Sequence, residues 1–379
     1  MYDYLIVGAG FAGAVMAERI TTLLGKSVNI IEKRSHIGGN CFDTIDTNGI
    51  RIHQYGPHLF HTDNRAVIDY LSNFTDWESY EHEVLASIEG REVPIPFNLN
   101  SIDMLFPEER AKKLEAKLIE RYGYGDKVPI LELQKTDDTD LKELSDYIYK
   151  NVFLNYTIKQ WGMRPEEIDL DVTARVPVHI SRDNRYFQDR YQQLPNEGYT
   201  ALFERLLAHP LIALSLDTPF QSEIKIEGDQ IYYRGEPFGG KLLFTGMIDE
   251  LFDECFGSLD YRSLRLDFEY ISKEWYQAKS VINYPNEYDF TRITEFKHIH
   301  PVTTENTTIL KEYPQPYIRG ENLPYYPLFR LKDQEKYRRY AMRAQEIENL
   351  ILIGRLAEYR YYDMDDIVSR ALELFEEIF

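Results

Sequence analysis

The residues at the start of the chain have the types and spacing needed to hold a dinucleotide. An apolar run, Tyr4 to Val7, leads into the turn Gly8-Ala9-Gly10-Phe11-Ala12-Gly13, and a helical pattern follows. Such glycines permit a tight turn, close approach of a pyrophosphate and packing of helix on strand, while the helix N-terminus offers N–H groups to phosphate. Glu32 ends the next apolar run and can accept from ribose hydroxyls. The order predicts a dinucleotide site; a chance glycine turn is the alternative.

A second pair of glycines bears on which dinucleotide binds. Gly38 and Gly39 follow the acid in the run EKRSHIGGN. A nicotinamide-binding unit need not carry such a pair, whereas in many flavoproteins the backbone here runs against the flavin phosphate and ribitol. The spacing favours FAD over NAD, with a plain surface turn as the competing interpretation.

The end of the chain repeats the strand and helix pattern of its beginning. An apolar run over 349–353 ends at Gly354, and a helical pattern starts at Met364. In a two-part flavin domain the last strand and helix rejoin the N-terminal sheet. Gly354 would then allow close approach, and the helix N-terminus would face the flavin. A strand and helix without a ligand is the alternative.

Aromatic and histidine side chains are candidates for the rest of the cleft. Tyr156 and Trp161 are close together, so a base could stack on their rings, although Trp161 could equally belong to the core. His58 and His61 follow the second glycine pair and could pass near a flavin ring. They make a weak zinc site because no third ligand is nearby in the sequence, and we predict no metal.

The arginines matter because the chain is strongly acidic, with a formal net charge of −20 at pH 7. That charge argues against nucleic acid as a partner, since nucleic-acid surfaces need clustered lysine and arginine. An anionic substrate would need local arginines. They cluster between Arg175 and Arg190, which suggests a phosphate site, with surface solvation as the alternative for Arg182 and Arg185. Further arginines are Arg292, Arg355 and Arg360.

Length and composition set the remaining bounds. The 379 residues can hold two or three domains and a large core. Cys41 and Cys255 form no metal or redox spacing, the N-terminus reads as a strand rather than a signal peptide, and no apolar run reaches membrane length. We expect a reduced, cytoplasmic protein without a membrane segment.

The pattern of elements predicts an α/β fold, a discontinuous Rossmann-like FAD-binding domain with an inserted helical domain and an antiparallel β-sheet domain. The segment 101–150 is charged and helix-favouring, whereas β-branched and aromatic residues dominate 176–180 and 280–310. The predicted domains are an FAD-binding domain of residues 1–75, 198–270 and 345–379, a helical domain of residues 100–170, and a sheet domain of residues 76–99, 171–197 and 271–344.

Together these motifs resemble the bacterial UDP-galactopyranose mutase family along almost the whole chain. The segments that carry the resemblance are GAGFAGAV, EKRSHIGGN, YGPHLFHT, NYTIKQWG, RYFQDRYQ, YRSL, TRITEFKH, KEYP, PYYP and GRLAEYRYYDM. The resemblance implies a cytoplasmic homodimer with non-covalent FAD, active only when a reductant such as NAD(P)H has reduced the flavin. It implies interconversion of the pyranose and furanose forms of a nucleotide-linked hexose, for cell-surface polysaccharide synthesis. Flavin N5 would attack the anomeric carbon as the diphosphate leaves.

The resemblance also implies roles for individual residues. Arg175, in a mobile loop at 166–178, and Arg292 would clamp the diphosphate. His61 would lie beside the isoalloxazine and complete the implied catalytic set. Substrate binding would further involve Tyr156, Trp161, Tyr186, Tyr326 and Tyr361, the last three through hydroxyls donated to phosphate. The implied FAD site comprises Gly8, Gly10, Phe11, Gly13, Glu32, Lys33, Gly39, Asn40, His58, Arg355, Asp363 and Met364.

Several departures from the family pattern leave the identity of the substrate's sugar undecided. Ile158 replaces an expected acid, Phe296 a usual histidine, and His82 an asparagine near the sugar. UDP-galactose is the first expectation, and UDP-N-acetylgalactosamine and dTDP-fucose are alternatives. A rival class is a flavin-dependent oxidoreductase of the amine-oxidase type, which shares the first forty residues but needs no arginine pair for a diphosphate. A flavin-binding protein without catalysis is a second rival.

Overall fold

A five-stranded parallel sheet lies at the centre of the computed structural model. Two adjacent inner strands of this sheet, Tyr4–Val7 and Val28–Ile31, are buried along their whole length, because both faces of the sheet are covered. The last strand of the chain joins this sheet, as predicted. Across the sheet the order is Ile212–Ser215, Val28–Ile31, Tyr4–Val7, Lys241–Phe244 and Leu350–Leu352.

The strand order reverses at Tyr4–Val7, which pairs with Val28–Ile31 on one side and with the distant Lys241–Phe244 on the other. In open α/β sheets, ligands bind outside the carboxyl ends of the strands at such a point. The glycine turn 8–13 follows this strand directly, so the fold places it where a ligand is expected.

Helices cover both faces of the parallel sheet. Phe11–Leu24 packs against the C-terminal helix Met364–Ile378, and their apolar faces share one core cluster with the strands. Ile248–Leu251 and Leu331–Gln345 cover the opposite face. The remaining helices near this sheet are Arg65–Leu71 and Gly198–Leu206.

A seven-stranded sheet forms the second large layer. Its pairs are antiparallel except for Val84–Ile88 beside Val281–Asn283, which run parallel. The predicted antiparallel strands of 280–310 are thus confirmed, and the parallel pair, which joins distant segments, was not anticipated. In order the strands are Tyr326–Pro327, Tyr261–Ile271, Thr307–Pro316, Arg292–Glu295, Val281–Asn283, Val84–Ile88 and Arg91–Ile95.

The segment predicted to be helical is helical. Glu108–Tyr122 buries Ala111, Leu114 and Leu118, which lie on one face because they are spaced by three and four residues. A π-helical stretch, Tyr149–Leu154, links the helix Thr139–Ile148 to the helix Asn155–Trp161 and shifts the helical phase before Tyr156. The helices are Leu99–Leu105, Glu108–Tyr122, Ile130–Leu133, Thr139–Ile148 and Asn155–Trp161.

Short elements complete the structure, which describes residues 2–164 and 177–379. Short 3₁₀ turns are Gly39–Cys41, Phe220–Ser222 and Phe296–His298. Small sheets pair Asp43–Ile45 with Arg51–His53, Lys127–Val128 with Val178–His179, Tyr191–Pro195 with Phe60–Thr62 and Trp77–Ser79, and Gln230–Tyr233 with Ile224–Glu227 and Glu236–Pro237.

Within those two ranges, no helix has the length and apolar character needed to cross a membrane. The fold class agrees with the prediction, a Rossmann-like sheet combined with a helical segment and a largely antiparallel sheet. The boundaries of the three domains stay predictions, and most of the loop 166–178 lies outside the described residues.

Candidate active site

A cavity of about 320 Å³ lies at the carboxyl ends of the central strands. The predicted FAD residues line it except Gly13, which lies beneath the turn. They are Gly8, Gly10, Phe11, Glu32, Lys33, Gly39, Asn40, His58, Arg355, Asp363 and Met364. The structure thus gathers residues from both ends of the chain around one space.

Close contacts with neighbouring atoms require glycine at positions 8, 13 and 39. At Gly8, with φ +103°, a Cβ would lie 2.1 Å from Thr245 Oγ1, and at Gly13 it would lie 2.0 Å from the Gly8 carbonyl oxygen. A Cβ on Gly39 would approach Gly10 Cα to 3.0 Å, so the two glycine turns touch each other. Gly10 offers no side-chain cap to the helix that begins at Phe11, which leaves N–H groups for a phosphate.

Glu32 holds the turn as well as lining the cavity. One carboxylate oxygen accepts from the Ala9 N–H at 2.9 Å, and the other accepts from the Arg34 N–H at 2.9 Å. The residue is 6% exposed. Each carboxylate oxygen has a second lone pair, so the same group can still accept from a ribose hydroxyl.

Part of the cavity wall was missed by the sequence analysis. Thr245 follows the central strand Lys241–Phe244 and bonds to the Val7 carbonyl at 2.7 Å. Its position directly after the apolar run Leu242-Leu243-Phe244 was an available signal, since carboxyl ends of parallel strands line such sites. Other residues that line the cavity and that the sequence analysis did not name as site residues are Phe220, Gln221, Met247, Glu250, Pro324 and Tyr325.

Arg292 is the centre of a second group, on the seven-stranded sheet. Its Nη2 donates to the Tyr156 hydroxyl at 2.7 Å, and its Nε lies 3.5 Å from Glu312 Oε2. Glu312 is 3% exposed and sits directly opposite Arg292 on the neighbouring strand. The sequence analysis did not single out Glu312, although a carboxylate within the β-rich run TTILKEYP was a visible anomaly.

Electrostatics in this group favour a charged guanidinium and neutral phenols. Burial tends to lower the pKa of Arg292, but Glu312 and the surrounding tyrosines raise it above its ordinary value. Burial also raises the pKa values of Tyr156 and Tyr326. Glu312 has a raised pKa because burial outweighs the attraction of Arg292. The group therefore presents one permanent cation and hydroxyl donors, which suits an anionic ligand.

Stacked rings connect this group to the cavity. Trp161 lies 5.7 Å from Tyr326 between ring centroids, and Tyr326 stacks on Tyr361 at 6.3 Å. The guanidinium of Arg355 lies over Tyr361 at 5.0 Å. Arg355 lines the cavity, and Tyr326 is an electrostatic neighbour of Arg292, so these rings connect the Arg292 group with the cavity wall.

Tyr186 and His82 are neighbours of Arg292, and His61 is a neighbour of His82. The Tyr186 ring meets His82 edge-on at 5.7 Å, and burial together with Arg292 lowers the pKa of His82 to about 3. His61 stacks on Phe187 at 3.6 Å, and its Nδ1 donates to Asp189 at 3.1 Å. His61 is absent from the cavity lining, so its role beside the flavin stays a prediction.

The arginine cluster separates into different environments. Arg182 pairs with Asp103 and Glu115, and Arg185 pairs with Asp183 and Glu81. For these two arginines the surface interpretation holds. Arg175 lies outside the described residues, so its predicted role as a diphosphate clamp stays a prediction. Among the described residues, Arg34 and Arg355 line the cavity, and Arg292 is the arginine of the second group.

Known proteins resemble this chain along its whole length. A family model described as UDP-galactopyranose mutase matches residues 151–361, and one described as an NAD(P)-binding Rossmann-like domain matches residues 6–74. A UDP-galactopyranose mutase from Mycoplasma pneumoniae is 34% identical over 100% of this chain and 96% of its own length. A dTDP-fucopyranose mutase from Escherichia coli is 36% identical over 98% of this chain and 97% of its own length.

Solved structures show the same fold at lower identity. A crystal structure of reduced UDP-galactopyranose mutase superposes with a TM-score of 0.72 at 16% identity, covering 100% of this chain and 94% of its own. A wild-type putrescine oxidase bound to putrescine gives 0.59 at 12% identity, covering 100% and 98%. Both structural similarities show the fold alone, whereas the relatives at 34% and 36% identity and the matching family model show the family. The chain belongs to the UDP-galactopyranose mutase family and is an isomerase of the mutase class.

Proposed function

We propose that this protein interconverts the pyranose and furanose forms of a nucleotide-linked hexose, with UDP-galactose as the first substrate to test, using a tightly bound FAD in the reduced state. The observation that carries the proposal is the group formed by the partly exposed Arg292 and Tyr156 with the buried Glu312, together with the stacked rings that lead from Tyr326 to the wall of the dinucleotide cavity. A diphosphate held at Arg292 would therefore lie beside the group held in the cavity.

The residues present fit FAD. The helix that begins at Phe11 has no side-chain cap, which leaves its first N–H groups for a pyrophosphate, and Glu32 retains acceptors for ribose hydroxyls. Gly354, Arg355 and Met364 extend the cavity beyond the first βαβ unit, which gives room for more than an adenosine diphosphate. When bound and reduced, the flavin supplies a nucleophilic nitrogen, N5, for attack on the anomeric carbon.

The chain's own task is to hold and neutralise the diphosphate. Arg292 remains charged at every working pH, and Tyr156 and Tyr326 keep their protons because burial raises their pKa values. These groups can stabilise the negative charge that grows on the departing diphosphate. Arg175 is proposed to complete the clamp from the loop 166–178. In a chain with net charge −20, such local positive charge has no distant substitute.

The identity of the sugar is the finer part of the proposal. The relatives include mutases named for UDP-galactopyranose and for dTDP-fucopyranose at similar identity, so UDP-N-acetylgalactosamine and dTDP-fucose remain alternatives to UDP-galactose. His82, neutral and packed beside Tyr186, is a residue of this chain near the proposed diphosphate site that could contact the sugar.

Product analysis tests the proposal directly. The purified protein should be yellow and should convert one nucleotide sugar of a panel between ring forms after reduction with dithionite. The panel should contain UDP-galactose, UDP-N-acetylgalactosamine and dTDP-fucose. Failure on every member with FAD bound and reduced would contradict the function. Release of hydrogen peroxide from amines would instead support the amine-oxidase class, which shares the fold.

Three further proposals follow from the family. The protein is proposed to be a cytoplasmic homodimer, and its flavin is proposed to be reduced by NAD(P)H. Light scattering gives the mass in solution, and anaerobic titration with NADPH or NADH should bleach the flavin absorption. A monomer, or a flavin that neither nicotinamide reduces, would contradict the corresponding proposal.

A further inference from the structure

Three histidines form a hydrogen-bonded chain that ends at the cofactor cavity. His53 Nε2 and His300 Nε2 are 2.9 Å apart. The backbone N–H of His58 lies 2.9 Å from His53 Nδ1, and His58 Nδ1 lies 2.8 Å from the Gly56 carbonyl oxygen. His58 itself lines the cavity. The chain thus runs from His300, which follows the 3₁₀ turn Phe296–His298, through the buried imidazole of His53 to His58 at the cavity.

The partners determine where each proton sits. A backbone N–H can only donate, so His53 Nδ1 must accept, and the proton of neutral His53 is on Nε2. His300 Nε2 must then accept from it. A carbonyl can only accept, so His58 carries its proton on Nδ1, and its Nε2 is left with a lone pair. A second proton on His53 or His300 would place two donors face to face.

The surroundings keep these histidines neutral. His53 is completely buried, with the rings of Tyr199 and Phe296 5.7 Å away. Burial and the cation of Arg51 lower the pKa of His300 to about 4, while Asp43 opposes the shift. The pKa of His53 is also well below its ordinary value because of burial and its neighbours His300, His58 and Arg51. Burial likewise lowers the pKa of His58 to about 4.

The segment that these hydrogen bonds anchor is the turn Gly56–His58. Gly56 adopts φ +93°, a conformation that glycine takes easily. Its carbonyl fixes the His58 ring, and His53 fixes the His58 backbone. Within residues 2–164 and 177–379, His58 Nε2 has no hydrogen-bond partner, so its lone pair is available to a ligand in the cavity.

We propose that His53 and His300 are positioning residues that lock the Gly56–His58 turn and thereby hold His58 as a neutral imidazole whose Nε2 accepts a hydrogen bond from an O–H or N–H group of the flavin cofactor. The inference deepens the proposed function, because it takes the cavity to be the flavin site. It assigns a task to His300, which does not itself line the cavity.

Matched substitutions at His300 test the hydrogen-bonded histidine chain in the full-length protein with FAD bound. Gln places an amide oxygen near the position of Nε2 and can accept from His53, whereas Leu cannot. We expect H300Q to keep the wild-type dissociation constant for FAD and the wild-type flavin reduction potential. H300L should weaken FAD binding by about 3- to 10-fold, the effect of about one hydrogen bond, and should shift the potential. H58F, which removes the acceptor itself, should show both changes at least as strongly.

A second pair of variants tests the role of His53. H53N keeps an acceptor near the position of Nδ1 for the His58 N–H, and H53L removes it, so FAD binding should be weaker in H53L than in H53N. Should H53L fail to fold, the His300 pair still decides. Lower melting temperatures with unchanged FAD affinity and unchanged potential in H300L and H58F would overturn the proposal, since the histidines would then be structural alone. A wild-type protein that binds FAD but isomerises no sugar would refute the proposed function. The role of the histidine chain would still be decided by the dissociation constants for FAD and the flavin reduction potentials of the variants.

Discussion

Replacing Arg292 is the most informative perturbation, because this side chain has both a structural and a functional partner. Its Nη2 donates to Tyr156 at 2.7 Å, and Glu312 lies beside its Nε. A charge-assisted contact to phosphate is worth about 1.5–3 kcal/mol, so Arg292→Ala should lower kcat/KM by roughly 10- to 150-fold. The loss should be larger if the contact strengthens as the diphosphate departs.

The same change has a structural cost that must be separated from the functional one. Glu312 is 3% exposed, and removing its cation leaves a buried carboxylate unpaired, which costs about 3–5 kcal/mol. The double variant R292M/E312Q removes both charges while keeping similar volumes. We expect it to recover most of the melting temperature lost in Arg292→Ala and none of the activity. Arg292→Lys keeps the charge but loses the planar fork, so its activity should be intermediate.

The assay is isomerisation of the preferred nucleotide sugar under dithionite, with FAD content measured by absorbance and stability by thermal unfolding. FAD binding should survive every variant, because Arg292 is not part of the cavity lining. Near-wild-type kcat/KM in Arg292→Ala with FAD bound would refute the diphosphate role. Recovery of activity in R292M/E312Q would show that Arg292 acts by neutralising Glu312 rather than by binding substrate.

Three other predictions follow. The oxidised protein should not isomerise substrate and should do so once reduced, because N5 is nucleophilic in reduced flavin alone; equal rates in both states by product analysis would contradict N5 attack. Gly8→Ala should lower the FAD content of the purified protein, because its Cβ would collide with Thr245 Oγ1 at a φ of +103°, whereas Gly25→Ala, with open space around it, is a control for positive φ alone. Stability should fall as pH drops from about 6.5 toward 4, since burial lowers the pKa values of His58 and His300 to about 4 while the unfolded chain takes up these protons near 6.5. Each group contributes at most roughly 3 kcal/mol, and denaturant unfolding at pH 7 and 5 measures the change; equal stability at both values would disprove it.

Local motifs predicted many of the residues that line the cavity at the carboxyl ends of the central strands. The turn at Gly8 and Gly10, the acid Glu32 and the pair Gly38-Gly39 each depend on backbone conformations that a few consecutive residues determine. The C-terminal strand and helix were also predicted, since an apolar run that ends at Gly354 and a helical pattern that starts at Met364 mark them locally. Family resemblance supplied Arg292 and the tyrosines, and the structure places them together.

Pairings between distant segments were decided by the tertiary structure. Glu312 faces Arg292 because two strands of the seven-stranded sheet meet in one register, and a shift of one residue would turn that carboxylate to the other face. His53 meets His300 across 247 positions of sequence, and Arg182 finds Asp103 and Glu115 on helices before it. None of these contacts has a local signal. Residue type and spacing determine which chemistry a segment can offer, but strand register and burial determine which groups face one another and which charges they carry.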